Sequence, residues 1–560
     1  MNICKYRPAL GPCAAAQLGR QRSNTLMNVR SLRSRTKELV YPASATCLAN
    51  ATKPISDKAE VTTFGSSLNG LPIPRLRCRS RSPQLRLNCS IQRDVSNLGD
   101  NVTQDVVIVG AGMSGLSCAK SLDNSDESIR ISILEATDGV GGRVRSDVTS
   151  DGFVLDRGFQ IFLQGYEELK EILDYDKLAL CDFYAGAAVL FQGQYHKVAD
   201  PLRHPVDGLL SLVNPIGSVV DKVLVGILRL ASFLTSTDVI LTKEESTIME
   251  KLVSYGFSNR MIDSFFRPFL GGIFFDTDLR TSSRLLEFIF KVLASGSNSL
   301  PRHGMSSVPK QLVNAMSNQV EIYLNAKVEN VKVAHSVTSR SPQQEENQSV
   351  GDDNEDRLSS FPVVITLENG NTIRAKKCII ATEGGYQCEK ILGKDAVQSS
   401  PSHPGQAVGT ICLYFSLSEQ FLPSTDPILY LNGEGSGIIN NMCFPSTVTE
   451  SYAPTGQHLA SVSLVGNYTE FSDDELVRKV QEELSLQWFP ASIVSEWKFI
   501  RLYRIPYAQP SQTVPTLMKR PVTLMKDRLY VCGDHRDSAT LEGACLSGVR
   551  AAKEVIAHSI

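Results

Sequence analysis

Short apolar, β-branched runs alternate with helix-permissive stretches along most of the chain. Asp105-Val106-Val107-Ile108-Val109 stops at Gly110, and more open sequence follows. That order predicts a buried strand, a tight turn and a helix. A second run, Ile131-Ser132-Ile133-Leu134, ends at Glu135 and completes a βαβ unit. After Gln160 the period lengthens. Tyr166, Leu169 and Leu173 stand at i, i+3 and i+7 with charges between them, which predicts a helix over 166–173. Residues 209–234 are apolar but for Asp221, Lys222 and Arg229 and a few small polar residues. They read as an amphipathic core helix, with a helix lying in a membrane surface as the alternative, because one pattern serves both. Residues 265–275 are dense in phenylalanine. Core packing and a pocket lining for an apolar substrate both fit them.

Strand-like runs return at 320–333, 363–367 and 378–382, and Asn369-Gly370 is a hairpin turn signal. Residues 405–500 alternate strands with one charged helix, 473–486. The tail repeats the opening theme: Leu529-Tyr530-Val531-Cys532 runs into Gly533-Asp534, and a helix opens beyond Ser538. The stretch 335–360 is polar and acidic, lacks core-forming residues, and reads as a disordered hairpin insertion.

Composition changes the picture at the N-terminus. Eleven arginines precede Gln92, serine and alanine are common, and the only acidic residues there are Glu38, Asp57 and Glu60. No apolar core of a secretory signal appears. This reads as an organellar transit peptide over 1–95, disordered, with Ser/Pro content favouring a chloroplast over a mitochondrion. A basic tail that binds something anionic is the other reading. Over the whole chain 42% of the 560 residues are hydrophobic and the net charge is −2, which gives no reason to expect nucleic acid. No run of about 20 apolar residues is free of charge, so a spanning helix is not expected. The thirteen cysteines form no C-x-x-C and no metal-type cluster, and reduced core thiols suit them better than disulfides.

Gly110, Gly112 and Gly115 make G-x-G-x-x-G. The first glycine permits the turn, the second lets backbone approach a pyrophosphate, and the third lets helix pack on strand. Phosphates then meet the free N–H groups at the helix start, around Met113 and Ser114. Glu135, twenty residues past Gly115 and followed by Ala136, stands where an acidic group meets ribose hydroxyls.

A second cluster follows: Gly139-Val140-Gly141-Gly142-Arg143-Val144-Arg145-Ser146, then Gly152-Phe153-Val154-Leu155-Asp156-Arg157-Gly158-Phe159-Gln160. With these the chain resembles the flavin-dependent amine oxidase, phytoene desaturase and protoporphyrinogen oxidase superfamily, as a plant plastid member. The resemblance resumes at Leu300-Pro301-Arg302-His303-Gly304-Met305, at Cys378-Ile379-Ile380-Ala381-Thr382 and at Leu529–Asp534. It implies an α/β fold: a Rossmann-like FAD domain built from 103–165, 299–400 and 503–560. A mixed α+β substrate domain would come from a helical segment, 166–298, and a sheet segment, 401–502.

The resemblance also implies roles. Gly141, Gly142 and Arg143 would lie along the FAD pyrophosphate, and Val328 would offer its backbone to adenine. Gly533 and Asp534 would meet the ribityl side. N–H groups near Leu541 and Gly543 would face the flavin edge that gains charge on reduction. Family members with covalent flavin use a cysteine just before the final strand. Residues 507–526 contain none, so FAD should be bound non-covalently. His303 stands where the family usually has glycine, and could be a base or a surface residue. No catalytic residue is assigned and no amine-oxidase cage can be mapped.

The expected function is FAD-dependent dehydrogenation of an apolar, carotenoid- or tetrapyrrole-like substrate by hydride transfer, with peripheral membrane contact. A small-amine oxidase, a nicotinamide dehydrogenase and a flavin-binding protein without turnover are the alternatives.

Overall fold

The computed structural model describes residues 91–125, 128–334, 360–393 and 407–558. The expected leader lies outside these except for 91–95, and the expected insertion except for Ser360.

A nine-stranded sheet carries the nucleotide-binding theme. Val102–Val109 sits inside it, parallel to Ile131–Leu134 on one side and to Thr372–Ile380 on the other. Val320–Leu324 extends the sheet beyond Ile131–Leu134, and Leu529–Val531 pairs in parallel with the end of Thr372–Ile380. Val106 to Val109 are all buried, as a parallel strand covered on both faces must be. The helices Met113–Ser125 and Leu541–Ala557 pack together, so the two ends of the described chain meet. The hairpin at Gly370 joins Val363–Leu367 to Thr372–Ile380. Gln92–Asp94 pairs with Val320–Leu324 as an edge strand, so the sheet begins inside the stretch read as leader.

A seven-stranded sheet forms the second body. Its order is Lys498–Pro510, Ala407–Ser418, Gln457–Val465, Ile439–Cys443, Leu429–Asn432, Gly186–Phe191 and Gln194–Ala199. Helix Asp473–Glu483 covers it through Leu476 and Val480. The fold is α/β with a mixed α+β second domain.

Four expectations differ from this architecture. Residues 166–173 form only one 3-10 turn, Glu168–Glu171, because the segment is anchored at both ends. Glu168 N–H donates to Glu542 Oε1 at 3.0 Å, and Asp174 N–H to Gln311 Oε1 at 2.8 Å. The segment 166–298 is not wholly helical: Gly186–Phe191 and Gln194–Ala199 form a hairpin. Its turn, Gln192-Gly193, has φ of 55° and 70°, the left-handed pair that a two-residue hairpin loop requires. Residues 503–510, assigned to the flavin domain, complete the long strand Lys498–Pro510 of the second sheet.

The apolar stretch 209–234 is not a core helix. It divides into Pro205–Ser211 and Val219–Leu234, and the longer helix turns Asp221, Leu228 and Ser232 inward. Val220, Val223, Ile227, Leu230 and Leu234 face outward. A periodic stripe fixes one face of a helix but not which side meets the core. Among the described residues no helix is long and apolar enough to cross a membrane.

Candidate active site

At Gly110 the first strand ends and φ becomes +107°. A Cβ on Gly110 would meet Ala381 O at 2.7 Å, and one on Gly115 would overlap Gly110 O at 2.1 Å. These two glycines are demanded by the fold itself. Gly112 is different: a Cβ there meets nothing within 4 Å. It faces a cavity of about 790 Å³. The second glycine turn lies directly on the first, with Gly141 N–H donating to Ala111 O at 2.8 Å and Gly141 bridging Gly112. Gly141 and Gly142 both have positive φ, 110° and 59°. Two backbone turns are thus stacked at the start of a helix whose first-turn N–H groups have no intrahelical acceptor.

The cavity runs from this turn in two directions. One end is lined by Leu134, Glu135, Ala136, Thr137, Ala326 and Val328. The Glu135 carboxylate is held by Ala111 N–H at 2.8 Å and by Thr137 N–H at 3.0 Å. In the middle, Arg143 Nη1 donates to Asp534 Oδ2 at 2.7 Å and to Ala508 O at 2.8 Å, and its guanidinium lies over the Tyr507 ring. Burial alone would raise the Asp534 carboxyl, but Arg143 outweighs it and the pKa is lowered. Beyond Asp534 the helix Leu541–Ala557 opens onto the cavity through Thr540, Leu541 and Ala544. Thr540 Oγ1 caps it by accepting from Gly543 N–H at 3.0 Å. The Gly543 donor expected for the flavin is therefore taken, leaving those of the preceding turn residues.

The far end belongs to the second body. Phe269, Ile273 and Phe275 line it with Ile289, Leu293, Leu429 and Leu431. Its polar groups are mostly uncharged amides and hydroxyls: Asn298, Thr410, Asn441 and Gln509. Tyr166 joins them, and burial raises its hydroxyl well above the usual tyrosine value. The lysines of the lining, Lys327 and Lys390, lie at the opposite end, near Val328.

A family model described as flavin containing amine oxidoreductase matches residues 113–556. The chain belongs to that family. It is an FAD-dependent oxidoreductase. The site fits FAD on structural grounds, since the open space at Gly112 is one that the protein's own packing does not require. The chain is 21% identical over 486 residues to a chloroplastic/chromoplastic 15-cis-phytoene desaturase of Glycine max, covering 81% of this chain and 80% of that one. It is 31% identical over 168 residues to the chloroplastic protoporphyrinogen oxidase 1 of Arabidopsis thaliana, covering 28% and 31% respectively. An oxidoreductase structure from Methanosarcina mazei superposes with TM-score 0.57 at 14% identity, covering 80% of this chain and 100% of that one, a likeness of fold.

Of the flavin-site residues expected in this family member, Gly110, Gly112, Met113, Ser114, Glu135 and Ala136 line the cavity, with Gly141, Gly142 and Arg143. Val328, Gly533, Asp534 and Leu541 line it too. Gly115 does not, and serves helix packing alone. His303 is not in the lining; burial, with Arg302 and Lys310 nearby, lowers its pKa. Sequence reasoning missed Glu383 and Gln387, which follow Thr382 and the strand Thr372–Ile380 into the cavity wall. The strand motif ending at Thr382 marked the place, but no motif extends past it. Of the phenylalanines in 265–275, Phe269, Phe274 and Phe275 reach the cavity, whereas Phe266 is core.

Proposed function

We propose that this enzyme dehydrogenates an apolar substrate of carotenoid or tetrapyrrole type, and that it does so in a plastid. One observation carries the reading: the cavity-lining residues of segments 166–298 and 407–510 are mostly aromatic and aliphatic, and none is Asp, Glu, Lys, Arg or His. A cationic amine would enter it without a carboxylate to replace its hydration, which is costly. An alkyl or conjugated substrate meets no such cost. The names of the Glycine max and Arabidopsis thaliana relatives, a chloroplastic desaturase and a chloroplastic protoporphyrinogen oxidase, agree with this choice. The arginine-rich, acid-poor N-terminus supports the plastid.

Bound FAD supplies the hydride acceptor. The chain's residues would position it. Gly112 and the first turn after Met113 receive the pyrophosphate, while Glu135 and Val328 take the adenosine end. The Arg143–Asp534 pair fixes the middle, and the helix start at Leu541 places N–H groups where negative charge gathers. Tyr166, kept protonated, can donate but does not act as a base. The apolar walls exclude water.

The test is anaerobic reduction of the purified yellow protein by three substrate groups: polyenes, porphyrinogens and small water-soluble amines. Bleaching by a polyene or porphyrinogen is expected. Fast bleaching by hydrophilic amines alone would overturn the reading.

A further inference from the structure

The helix Val219–Leu234 has the polarity of a water-soluble helix reversed. Its inward stripe contains a carboxylate and a hydroxyl beside Leu228, and its outward stripe is apolar. Asp221 is 1% exposed, and its carboxylate is held by Ser218 and by Ser258 N–H at 2.7 Å. Val220, Val223, Ile227, Leu230 and Leu234 are between 55% and 73% exposed. The neighbouring helix Pro205–Ser211 adds Val206, Leu209 and Leu210, each at least 60% exposed. Both ends of the segment continue the same surface with other exposed apolar side chains.

The charged side chains of these helices are all engaged within the protein. Arg229 pairs with Asp200, and Lys222 Nζ donates to Asn214 O at 2.8 Å. Asp207 accepts from the Tyr184 hydroxyl. The outer face therefore offers hydrocarbon and almost no charge. Eight side chains at these exposures make a larger apolar patch than monomers usually show. A protein interface has a polar rim with hydrogen bonds, and here the polar groups are turned away. Charge complementarity favours the uncharged acyl region of a bilayer.

We propose that this two-helix face inserts into the hydrocarbon margin of one leaflet and docks the enzyme on a lipid bilayer. On its inner side Val219–Leu234 packs against Ser283–Ser295, whose Ile289 and Leu293 line the substrate end of the cavity. Docking thus brings that end close to the phase in which an apolar substrate dissolves. This last step rests on the function proposed above; the docking face does not.

The experiment is flotation of the full-length, flavin-loaded protein with phosphatidylcholine vesicles at low and high sodium chloride. Zwitterionic lipid and high salt silence the basic N-terminus. The variant is V223S/I227Q/L230Q, whose altered side chains face outward. Wild type should float equally at both salt levels, and the variant at least tenfold less, with both equally yellow. Failure of the wild type to float, flotation only at low salt, equal flotation of the variant, or a dimer that shields the face would overturn the proposal. A yellow protein that stays at the bottom refutes docking alone. A colourless protein that floats refutes the flavin reading alone.

Discussion

Gly112→Val separates what the fold needs from what the cofactor needs. A valine at Gly112 projects into the cavity and meets no protein atom with its Cβ. The backbone there is not left-handed, so the substitution is not strained. The position precedes the helix beginning at Met113, and a β-branched residue in place of glycine at such a cap costs about 1 kcal/mol. The flavin-free variant should therefore melt within a few degrees of flavin-free wild type. Flavin binding is another matter. The side chain would take the space proposed for the pyrophosphate, and the expected loss is about two charge-assisted hydrogen bonds, about 1.5–3 kcal/mol each. At about 1.4 kcal/mol per tenfold, affinity should fall by roughly 10²–10⁴. Calorimetric titration of FAD into both apoproteins, with absorbance spectra of the proteins as purified, reads the result. A Gly112→Val protein as yellow as wild type would refute the pyrophosphate assignment. A variant that fails to fold without flavin would refute the claim that the space is free.

Arg143→Ala leaves the buried Asp534 carboxylate without its partner. Because Arg143 is partly open to the cavity, a loss of about 2 kcal/mol in apoprotein stability is expected, with weaker flavin retention, read by thermal melts and absorbance. Burial raises Glu542 from 4.5 to about 7, against the N–H groups of Glu168 and Leu169, which lower it. Its protonated form is favoured on folding, so that stability is full below about pH 4.5 and is lost as pH rises through 7. The contribution is about 3 kcal/mol. Apoprotein melts between about pH 5 and pH 8 should show the decline, and Glu542→Gln should flatten it. Cys532 is fully buried and absent from the cavity lining, so acid precipitation should release all the yellow colour as free FAD, identified by mass. Colour retained in the pellet would show a covalent link.

The cofactor end was legible because backbone geometry there leaves few choices of residue. Gly110 and Gly115 have no room for a Cβ, and Gly141 and Gly142 need positive φ. Such demands write glycine at fixed spacing. Glu135 and Gly533-Asp534 were legible as the ends of apolar strands. The wall formed by Glu383 and Gln387 was not, because their position follows from the pairing of Thr372–Ile380 with Val102–Val109, some 270 residues apart. Residues 166–173 were misread for a similar reason: the Tyr166 ring stacks on Phe288 and Glu168 N–H reaches Glu542, contacts that local period does not show. Val219–Leu234 shows a third limit. Period gave the helix, but Ser218, Ser258 and Asp200, which draw its charges inward, lie outside the pattern.

The strand Val102–Val109 is made early and completed late. Its partner Thr372–Ile380 emerges from the ribosome long afterwards, and Leu529–Val531 comes almost last. Until then a strand whose second half, Val106 to Val109, is wholly apolar has a bare hydrogen-bonding edge, the kind of surface on which nascent chains aggregate. The stacked glycine turns can form locally, but the Arg143–Asp534 contact spans 391 residues and cannot close before synthesis is nearly finished. Folding of this enzyme is therefore governed by long-range pairing and should be slow for its size. A chain terminated shortly before Leu529 would lose its final strand, its Arg143–Asp534 pair and its last helix together.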